Sequence, residues 1–292
     1  MIDNMEWYRA FYEVAQTGSF SKAAERMFIT QPAVSHSIKQ LEFRLGGPLF
    51  FRTSRGVKLT AEGEVLLKFV SQAHHFLENG EKKIAEMRNL ITGEVKIGAG
   101  DTLCRYYLLP YLESFHGQYP DVKIQVTNRT TRETLVLLKE GRIDFGVVNL
   151  PIDERQLTVR ESMALHDCFV AGQAAAFTAR PPLSWKELND LPLLMLEKGS
   201  SIRSYADAFA EQQGIRLNPE IELGSIELIV QFARIGLGVG CVIREFVAEE
   251  LASGALREVD VEPPLPARHI GLVTLRDVPL SAAAQRLLEL LP

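Results

Sequence analysis

The sequence predicts an α/β protein with a helix-rich N-terminal part. Apolar residues recur at helical spacing through much of the first 88 residues, strand and helix patterns alternate from residue 94 onward, and 46% of the 292 residues are hydrophobic. A chain of this length and composition buries a sizeable core and forms two or more domains. No apolar run reaches the roughly 20 residues of a membrane span, and the amphipathic N-terminus is unlike a secretory signal. We therefore expect a cytoplasmic protein.

Charge is distributed unevenly along the chain. The net charge is −5, yet residues 22–58 carry seven basic and two acidic side chains, a local charge of +5. Residues 91–292 hold 20 basic and 27 acidic side chains, a net charge of −7. A basic N-terminal block on an acidic body is typical of a nucleic-acid-binding module attached to a domain with another task.

Two short helices joined by a tight turn are predicted at the N-terminus. Residues 5–16 place apolar side chains at helical spacing, and the run Thr17-Gly18-Ser19 ends this helix. Ser19 or Ser21 can cap the second helix, which continues through Met27.

A third helix carries side chains suited to reading DNA. Thr30 is a natural N-cap, and the helix runs to about Leu45. A single helix fits the major groove, where the Gln31 amide matches adenine. Val34, Ile38, Leu41 and also Ala33 can pack inward. The DNA-binding candidates on the second and third helices are Ser21, Lys22, Thr30, Gln31, Pro32, Ala33, Ser35, His36 and Lys39.

A small hairpin, or wing, is predicted next. Residues 49–52 and 56–59 alternate apolar and polar side chains around a short turn. Basic side chains on such a wing meet phosphates and fix the position of the protein on the duplex. The candidates are Arg52, Arg55 and Lys58.

A long helix is predicted over residues 61–88, capped by Thr60 and about 42 Å long. Its apolar positions follow heptad spacing with one member missing at Gly80. A partner helix from a second subunit is the favoured explanation, and packing on the helix's own chain stays open. The seam consists of Leu66, Val70, Ala73, Leu77, Ile84, Met87 and Ile91.

After a short hinge at residues 90–93, two sets of strands and helices predict two lobes with mostly parallel sheets. In open α/β sheets, ligands bind beyond the carboxyl ends of strands, where helix N-termini present free N–H groups. Arg203 could hold a carboxylate there. An anionic ligand is favoured, a neutral or amino-bearing one stays open, and each candidate could instead be an ordinary helix cap. These candidates are Gly100, Asp101, Thr102, Thr130, Thr131, Asn149, Ser200, Ser201, Arg203 and Ser225.

Cysteines and histidines give no sign of a metal or catalytic site. Cys104, Cys168 and Cys241 lie far apart among apolar residues, which predicts reduced core cysteines. The histidines lack ligand spacing, since the adjacent His74 and His75 are expected on different sides of a helix. No nucleophile-elbow motif is present. We expect no cofactor, no metal and no enzymatic activity.

In its order and spacing of motifs, the N-terminal part resembles the LysR-type transcriptional regulators. The motifs are Gly18-Ser19-Phe20-Ser21-Lys22-Ala23-Ala24, Gln31-Pro32-Ala33-Val34-Ser35, Leu41-Glu42, Leu45-Gly46, Leu49-Phe50-Phe51-Arg52 and Leu59-Thr60-Ala61-Glu62-Gly63. The second half matches the family in layout alone.

This resemblance implies a winged helix-turn-helix, a dimerising linker helix and a two-lobed, periplasmic-binding-protein-like effector domain. It also implies homotetramers on interrupted palindromic promoter sites, and an effector cleft lined at the positions of Thr102, Thr131 and Ser201.

The resulting hypothesis is a DNA-binding transcriptional regulator switched by a small-molecule effector, with RNA polymerase as a further partner. An effector-independent regulator and an enzyme built on the two lobes are the alternatives. The expected domains are a DNA-binding domain (1–60), a linker helix (61–89), the hinge (90–93) and an effector domain (94–292). Within the last, lobe I takes about 94–162 and 267–292, and lobe II about 163–266.

Overall fold

The computed structural model describes residues 4–53, 56–88, 93–173 and 182–292. It divides into two compact units, Met1–Ile84 and Ala85–Pro292, called here the first and second units. Of the predicted hinge at 90–93, only Gly93 lies within the described residues, where it begins a strand.

The first unit consists of helices followed by a hairpin, as predicted. Ser19, and not Ser21, caps the second helix by accepting a hydrogen bond from the Lys22 amide at 3.4 Å. Thr30 caps the third through the Ala33 amide, also at 3.4 Å. The elements are α1 (Met5–Thr17), α2 (Phe20–Met27), α3 (Gln31–Leu45), β1 (Phe50–Thr53), β2 (Gly56–Leu59) and α4 (Ala61–Arg88).

The three short helices and the hairpin share one apolar core. Phe11 is fully buried, and its ring lies 5.3 Å from that of Phe50 on β1. The Val57 amide donates to the Gly18 carbonyl at 3.1 Å, which ties β2 to the turn between α1 and α2. These contacts hold the hairpin in a fixed place beside the helices.

The start of α4 packs closely on the segment that leads into the hairpin. Thr60 caps α4, as predicted, by accepting from the Gly63 amide at 3.0 Å. A Cβ atom at Gly63 would lie 2.3 Å from the Leu49 carbonyl oxygen, whereas a Cβ at Gly80 in the same helix would meet nothing within 4 Å. A side chain is therefore excluded at the first glycine and has room at the second.

The second unit holds two five-stranded sheets, each in its own lobe. The elements of lobe I are β3 (Gly93–Ala99), α5 (Asp101–Leu103), a π-helical turn (Cys104–Leu108), α6 (Leu109–Gln118), β4 (Val122–Asn128), α7 (Thr131–Lys139), β5 (Phe145–Asn149) and β6 (Leu157–Leu165).

Lobe II follows, and the chain then returns to the first sheet. Its elements, with the two that return, are β7 (Asp167–Gly172), β8 (Leu183–Ser184), α8 (Trp185–Asn189), β9 (Leu193–Leu196), α9 (Ser201–Gln212), β10 (Ile221–Leu223), α10 (Ile226–Arg234), β11 (Val239–Ile243), a 3-10 turn (Arg244–Val247), α11 (Ala248–Ala252), β12 (Leu256–Val259), β13 (Val261–Glu262), β14 (Arg268–Leu275) and α12 (Ala282–Leu290).

Both large sheets are mixed, which corrects the expectation of mostly parallel sheets. The first has the order β4-β3-β5-β14-β6 and the second β10-β9-β11-β7-β12. In the first, β3 runs parallel to β4 and β5, while β14 is antiparallel to β5 and β6. The antiparallel pairs arise because the chain crosses between lobes twice, after β6 and before β14. Among the described residues, no helix has the length and apolar run needed to cross a bilayer.

We expect the two glycines of α4 to respond oppositely to alanine. Gly63→Ala should lower the free energy of unfolding by about 1–3 kcal/mol because the methyl group collides with backbone. Gly80→Ala should raise it by up to about 1 kcal/mol through helix propensity. Urea denaturation followed by circular dichroism measures both, and effects of the same sign would contradict the close approach at Leu49.

Candidate functional site

The first turn of α3 presents a polar surface. Val34, Ile38 and Leu41 are buried, as expected. Ala33 is exposed, which corrects its predicted inward packing, because the core-facing position is the next one, Val34. Ser35 is half-buried. The exposed candidates on α2, on α3 and at the cap between them are Ser21, Lys22, Thr30, Gln31, Pro32, Ala33, His36 and Lys39.

The wing adds a basic side chain beside these helices. β1 and β2 pair antiparallel, with Phe50 opposite Leu59. Lys58 is exposed on β2. Arg55 and the side chain of Arg52 lie outside the described residues. In the described part of this unit, the exposed Gln31 amide and the exposed cations Lys39 and Lys58 thus lie on the third helix and on the hairpin.

A cavity of about 270 Å³ lies between the two lobes. It opens where β3 and β5 of the first sheet and β9 of the second end, so the first turns of α5, α7 and α9 border it. This is the place that the strand-end rule predicts for a ligand. Eight of the ten predicted residues line it: Gly100, Asp101, Thr102, Thr130, Thr131, Asn149, Ser200 and Ser201.

Arg203 and Ser225 are not among the residues that line the cavity. The Arg203 side chain is 2% exposed, and its Nε donates to both carboxylate oxygens of Asp207 at 2.8 and 2.9 Å. Its Nη1 donates to Glu222 Oε1 at 2.9 Å. The Ser225 hydroxyl donates to Glu227. Both side chains are therefore engaged by carboxylates of the protein itself.

Sequence reasoning missed several groups that line the cavity. Asn128 and Arg129 come at the carboxyl end of β4, and Glu197 follows β9. The rule that selected Asn149 at the end of β5 would have found them. The remaining missed lining residues are Leu103, Leu196, Ile202, Leu223 and Ile243.

A hydrogen bond crosses the cavity from lobe to lobe. The Ser201 hydroxyl donates to Thr131 Oγ1 at 3.1 Å. The backbone N–H of Asn149 donates to the same oxygen at 3.3 Å. Thr130 and Ser200 act as helix caps, bonded to the amides of Glu133 and Arg203. The expected cap role therefore holds for these two, although both also border the cavity.

A buried ion pair lies next to the cavity, where the chain crosses between lobes. Arg268 Nε and Nη2 donate to the two carboxylate oxygens of Asp167 at 2.5 and 2.8 Å, and both side chains are at most 2% exposed. Arg268 Nη1 donates to Asn149 Oδ1. Since arginine has donors only, this bond fixes the side-chain amide of Asn149 with its oxygen directed toward Arg268. The Asn149 NH₂ group is thereby left as the donor.

The three cysteines are poor nucleophiles. Burial, and secondly the charge of Asp101, raise the pKa of Cys104 to about 11. Burial is also the main cause that raises the pKa of Cys168 to about 12 and that of Cys241 well above its usual value. Thiolate, the reactive form, is therefore scarce at neutral pH.

The histidines of α4 depart from their predicted arrangement. His74 Nδ1 and His75 Nδ1 each lie 3.6 Å from a carboxylate oxygen of Glu78. The ring of His74 stacks on Tyr12 at 4.4 Å. His74, His75 and Glu78 each offer one ligand atom, and these atoms all lie within 4.8 Å of one another, so the two histidine side chains do not lie on different sides of the helix.

Removing the buried Asp167 carboxylate should destabilise the folded protein. We expect Asp167→Ala to lower the free energy of unfolding by about 3–5 kcal/mol, because it leaves the Arg268 charge buried without its partner. The exposed pair Arg286–Glu289 is the control, and Glu289→Ala should cost at most about 1 kcal/mol. Denaturation midpoints and slopes measure both, and equal losses would refute the buried pair's role.

The thiols should be almost inert in the folded protein. At pH 8 a thiol of pKa 11 is about one part in a thousand thiolate, against about one in ten for an ordinary thiol. Ellman's reagent should therefore react at least about a hundredfold more slowly with native protein than with protein in guanidinium. Cys104→Ser identifies the contribution of the half-buried thiol, and rapid native labelling in that variant would contradict the assignment.

Comparisons with known proteins agree with both halves of this description. Residues 5–64 match the family model described as bacterial regulatory helix-turn-helix protein, lysR family, and residues 88–292 match the LysR substrate binding domain. The chain is 31% identical to a probable RuBisCO transcriptional regulator of Cyanidioschyzon merolae, over 88% of this chain and 87% of that protein.

Two solved structures share the fold of the whole chain. Full-length LysG from Corynebacterium glutamicum with bound effector Arg has a TM-score of 0.70 at 20% identity, covering 99% of this chain and 96% of that one. Full-length CbnR complexed with its target DNA has a TM-score of 0.65 at 15% identity, covering 99% and 98%.

Proposed function

Because the chain belongs to the LysR family of DNA-binding transcriptional regulators, which carry an effector-binding domain, we propose that α3 and the wing read promoter half-sites and that a small molecule in the interlobe cavity switches this activity. The observation that carries the proposal is the cavity itself, which is bordered by polar groups from both lobes. The bound arginine of LysG and the DNA of CbnR give precedents for the two ligand classes. The regulator acts in the cytoplasm and catalyses no reaction.

In this proposal α3 enters the major groove. The Gln31 amide pairs with adenine, and Ser35 and His36 contact bases of either strand. Lys39, Lys58 and the other predicted cations meet phosphates and supply affinity without sequence information. Exposure of Gln31, His36, Lys39 and Lys58 supports these roles.

The linker helix α4 brings subunits together. Leu77 is 57% exposed and Ile84 60% exposed in the single chain, although both belong to the heptad seam. Tyr8 and Tyr12 of α1 and Phe69 of α4 border a groove of about 700 Å³ beside this seam. A second copy would cover these apolar side chains, and we propose homodimers that pair into homotetramers on two half-sites.

The switch depends on groups that reach the effector from both lobes. A ligand bound by Thr131 of lobe I and Ser201 of lobe II favours the closed arrangement of the lobes, because only that arrangement lets it contact both. Closure then changes the geometry between subunits, the bend of the DNA and the access of RNA polymerase.

Substitutions of base-reading and of phosphate-binding residues should change DNA affinity in different ways. We expect Gln31→Ala to weaken binding to the chain's own upstream intergenic fragment by about tenfold, with little effect on random DNA. Lys58→Ala should weaken both alike and reduce the slope of affinity against salt by about one. Fluorescence anisotropy across a salt series measures these constants.

The matched control is Lys186→Ala, which removes one exposed lysine from the second unit. It should leave both affinities and the salt slope unchanged. Equal losses for specific and random DNA in Gln31→Ala, or a full-length protein that ignores its upstream fragment even at low salt, would overturn the DNA-reading roles.

A further inference from the structure

We propose that the effector is an α-amino acid, whose protonated amine is held by Asp101 and Glu197 and whose carboxylate meets hydrogen-bond donors of the same cavity. This inference rests on the proposed function, since it names the chemical class of ligand for the effector cavity.

Two carboxylates reach the cavity from opposite lobes. Asp101 belongs to the first turn of lobe I's helical segment and is exposed, and its Oδ1 accepts a hydrogen bond from Asn128 Nδ2 at 2.9 Å. It is not turned away as a cap, because Gly100 occupies the N-cap position. Glu197 comes from lobe II, and a Cβ at Gly224 would lie 3.9 Å from its Oε1. Within the described part of the chain, neither carboxylate has a cationic partner.

The charge balance of the lining is negative. The cavity holds one cation, Arg129, among its lining residues, and Arg129 Nη1 donates to the Asn128 carbonyl at 2.7 Å. Two carboxylates and one guanidinium leave a net charge of −1. A ligand that is only anionic would face two carboxylates without compensation, whereas an ammonium group between Asp101 and Glu197 gains a charge-assisted hydrogen bond from each.

Donors for a carboxylate are present in the same cavity. The Asn149 amide must direct its NH₂ group away from Arg268, because the guanidinium takes its oxygen. The first turn of the twelve-residue helix α9 adds the amides of Ser201 and Ile202, which have no acceptor within the helix. These groups favour a negative charge.

The size of the cavity agrees with this ligand class. About 270 Å³ lies below the roughly 300–1,000 Å³ of pockets for drug-sized molecules. An amine bound by carboxylates from both lobes also holds the lobes together, since Asp101 belongs to lobe I and Glu197 to lobe II. The ligand thus supplies the differential affinity that a switch requires.

The test uses the full-length protein and matched ligands. Thermal shift identifies which of the proteinogenic L-amino acids stabilise it, and isothermal titration gives their affinities. For each amino acid that binds, the corresponding 2-hydroxy acid lacks the amine and the corresponding decarboxylated amine lacks the carboxylate. We expect at least one amino acid to bind, and each truncated analogue to bind at least about tenfold more weakly.

Neutral substitutions of similar shape test the two carboxylates. Asp101→Asn and Glu197→Gln should each weaken the amino acid at least about tenfold, with no loss for its 2-hydroxy acid, because only the amine loses its partner. Asp121→Asn removes an exposed carboxylate that does not line the cavity, and it should leave every affinity unchanged. Melting temperatures without ligand confirm that the variants are folded.

The outcomes separate this inference from the proposed function. If a 2-hydroxy acid or another amine-free anion binds as tightly as any amino acid, the inference is overturned and an effector-switched regulator still stands. If amino acids bind but both variants keep their affinity within twofold, the assignment of Asp101 and Glu197 is overturned. If no amino acid binds, the inference is overturned, while an effector of another chemical class leaves the proposed function standing.

Discussion

The second unit depends on one buried ion pair, Asp167 with Arg268. Asp167 begins β7, directly after the chain leaves the first sheet, and Arg268 begins β14, directly before it returns. Their bidentate contact therefore joins the two crossings between lobes, at a point where neither charge reaches water. Because an uncompensated charge is very unfavourable in such a place, each crossing constrains the other. A change in the arrangement of the lobes that separates the two side chains is therefore strongly disfavoured.

Local signals in the sequence were sufficient for much of the architecture. Ser19 and Thr30 cap helices because a hydroxyl beside free amides is a local interaction, visible in a few residues. The segment that forms β6 lacks the pattern of a strand in the sequence, because its outer positions, such as Arg160 and Glu161, are charged. It forms by pairing with β14, a partner more than a hundred residues away along the chain. The mixed sheets could not be predicted for the same reason. The direction of each strand depends on where the chain crosses between the lobes, which is a long-range property.

The cavity shows where sequence reasoning stops. The rule of strand ends found most of its lining, because the position of a loop follows from topology. It failed for Arg203 and Ser225 because side-chain direction depends on competing partners. Glu222 approaches Arg203 from strand β10, and Glu227 accepts the hydrogen bond of the Ser225 hydroxyl. A cation or hydroxyl at a helix N-terminus thus predicts a ligand contact only when no carboxylate of the protein engages it first.

The same network that joins the two crossings between lobes also shapes the cavity. Arg268 uses one guanidinium nitrogen for Asn149 and two for Asp167, so the wall formed by Asn149 has a fixed donor and a fixed position. Asp101 accepts a hydrogen bond from Asn128 of its own lobe, Glu197 belongs to the other lobe, and neither carboxylate has a cationic partner among the described residues. A ligand that bridges them therefore connects the two lobes beside a wall whose donor is fixed. Binding energy gained at these carboxylates is then available to hold the lobes together, and in the proposed switch this is what couples recognition of the effector to a change in the regulator.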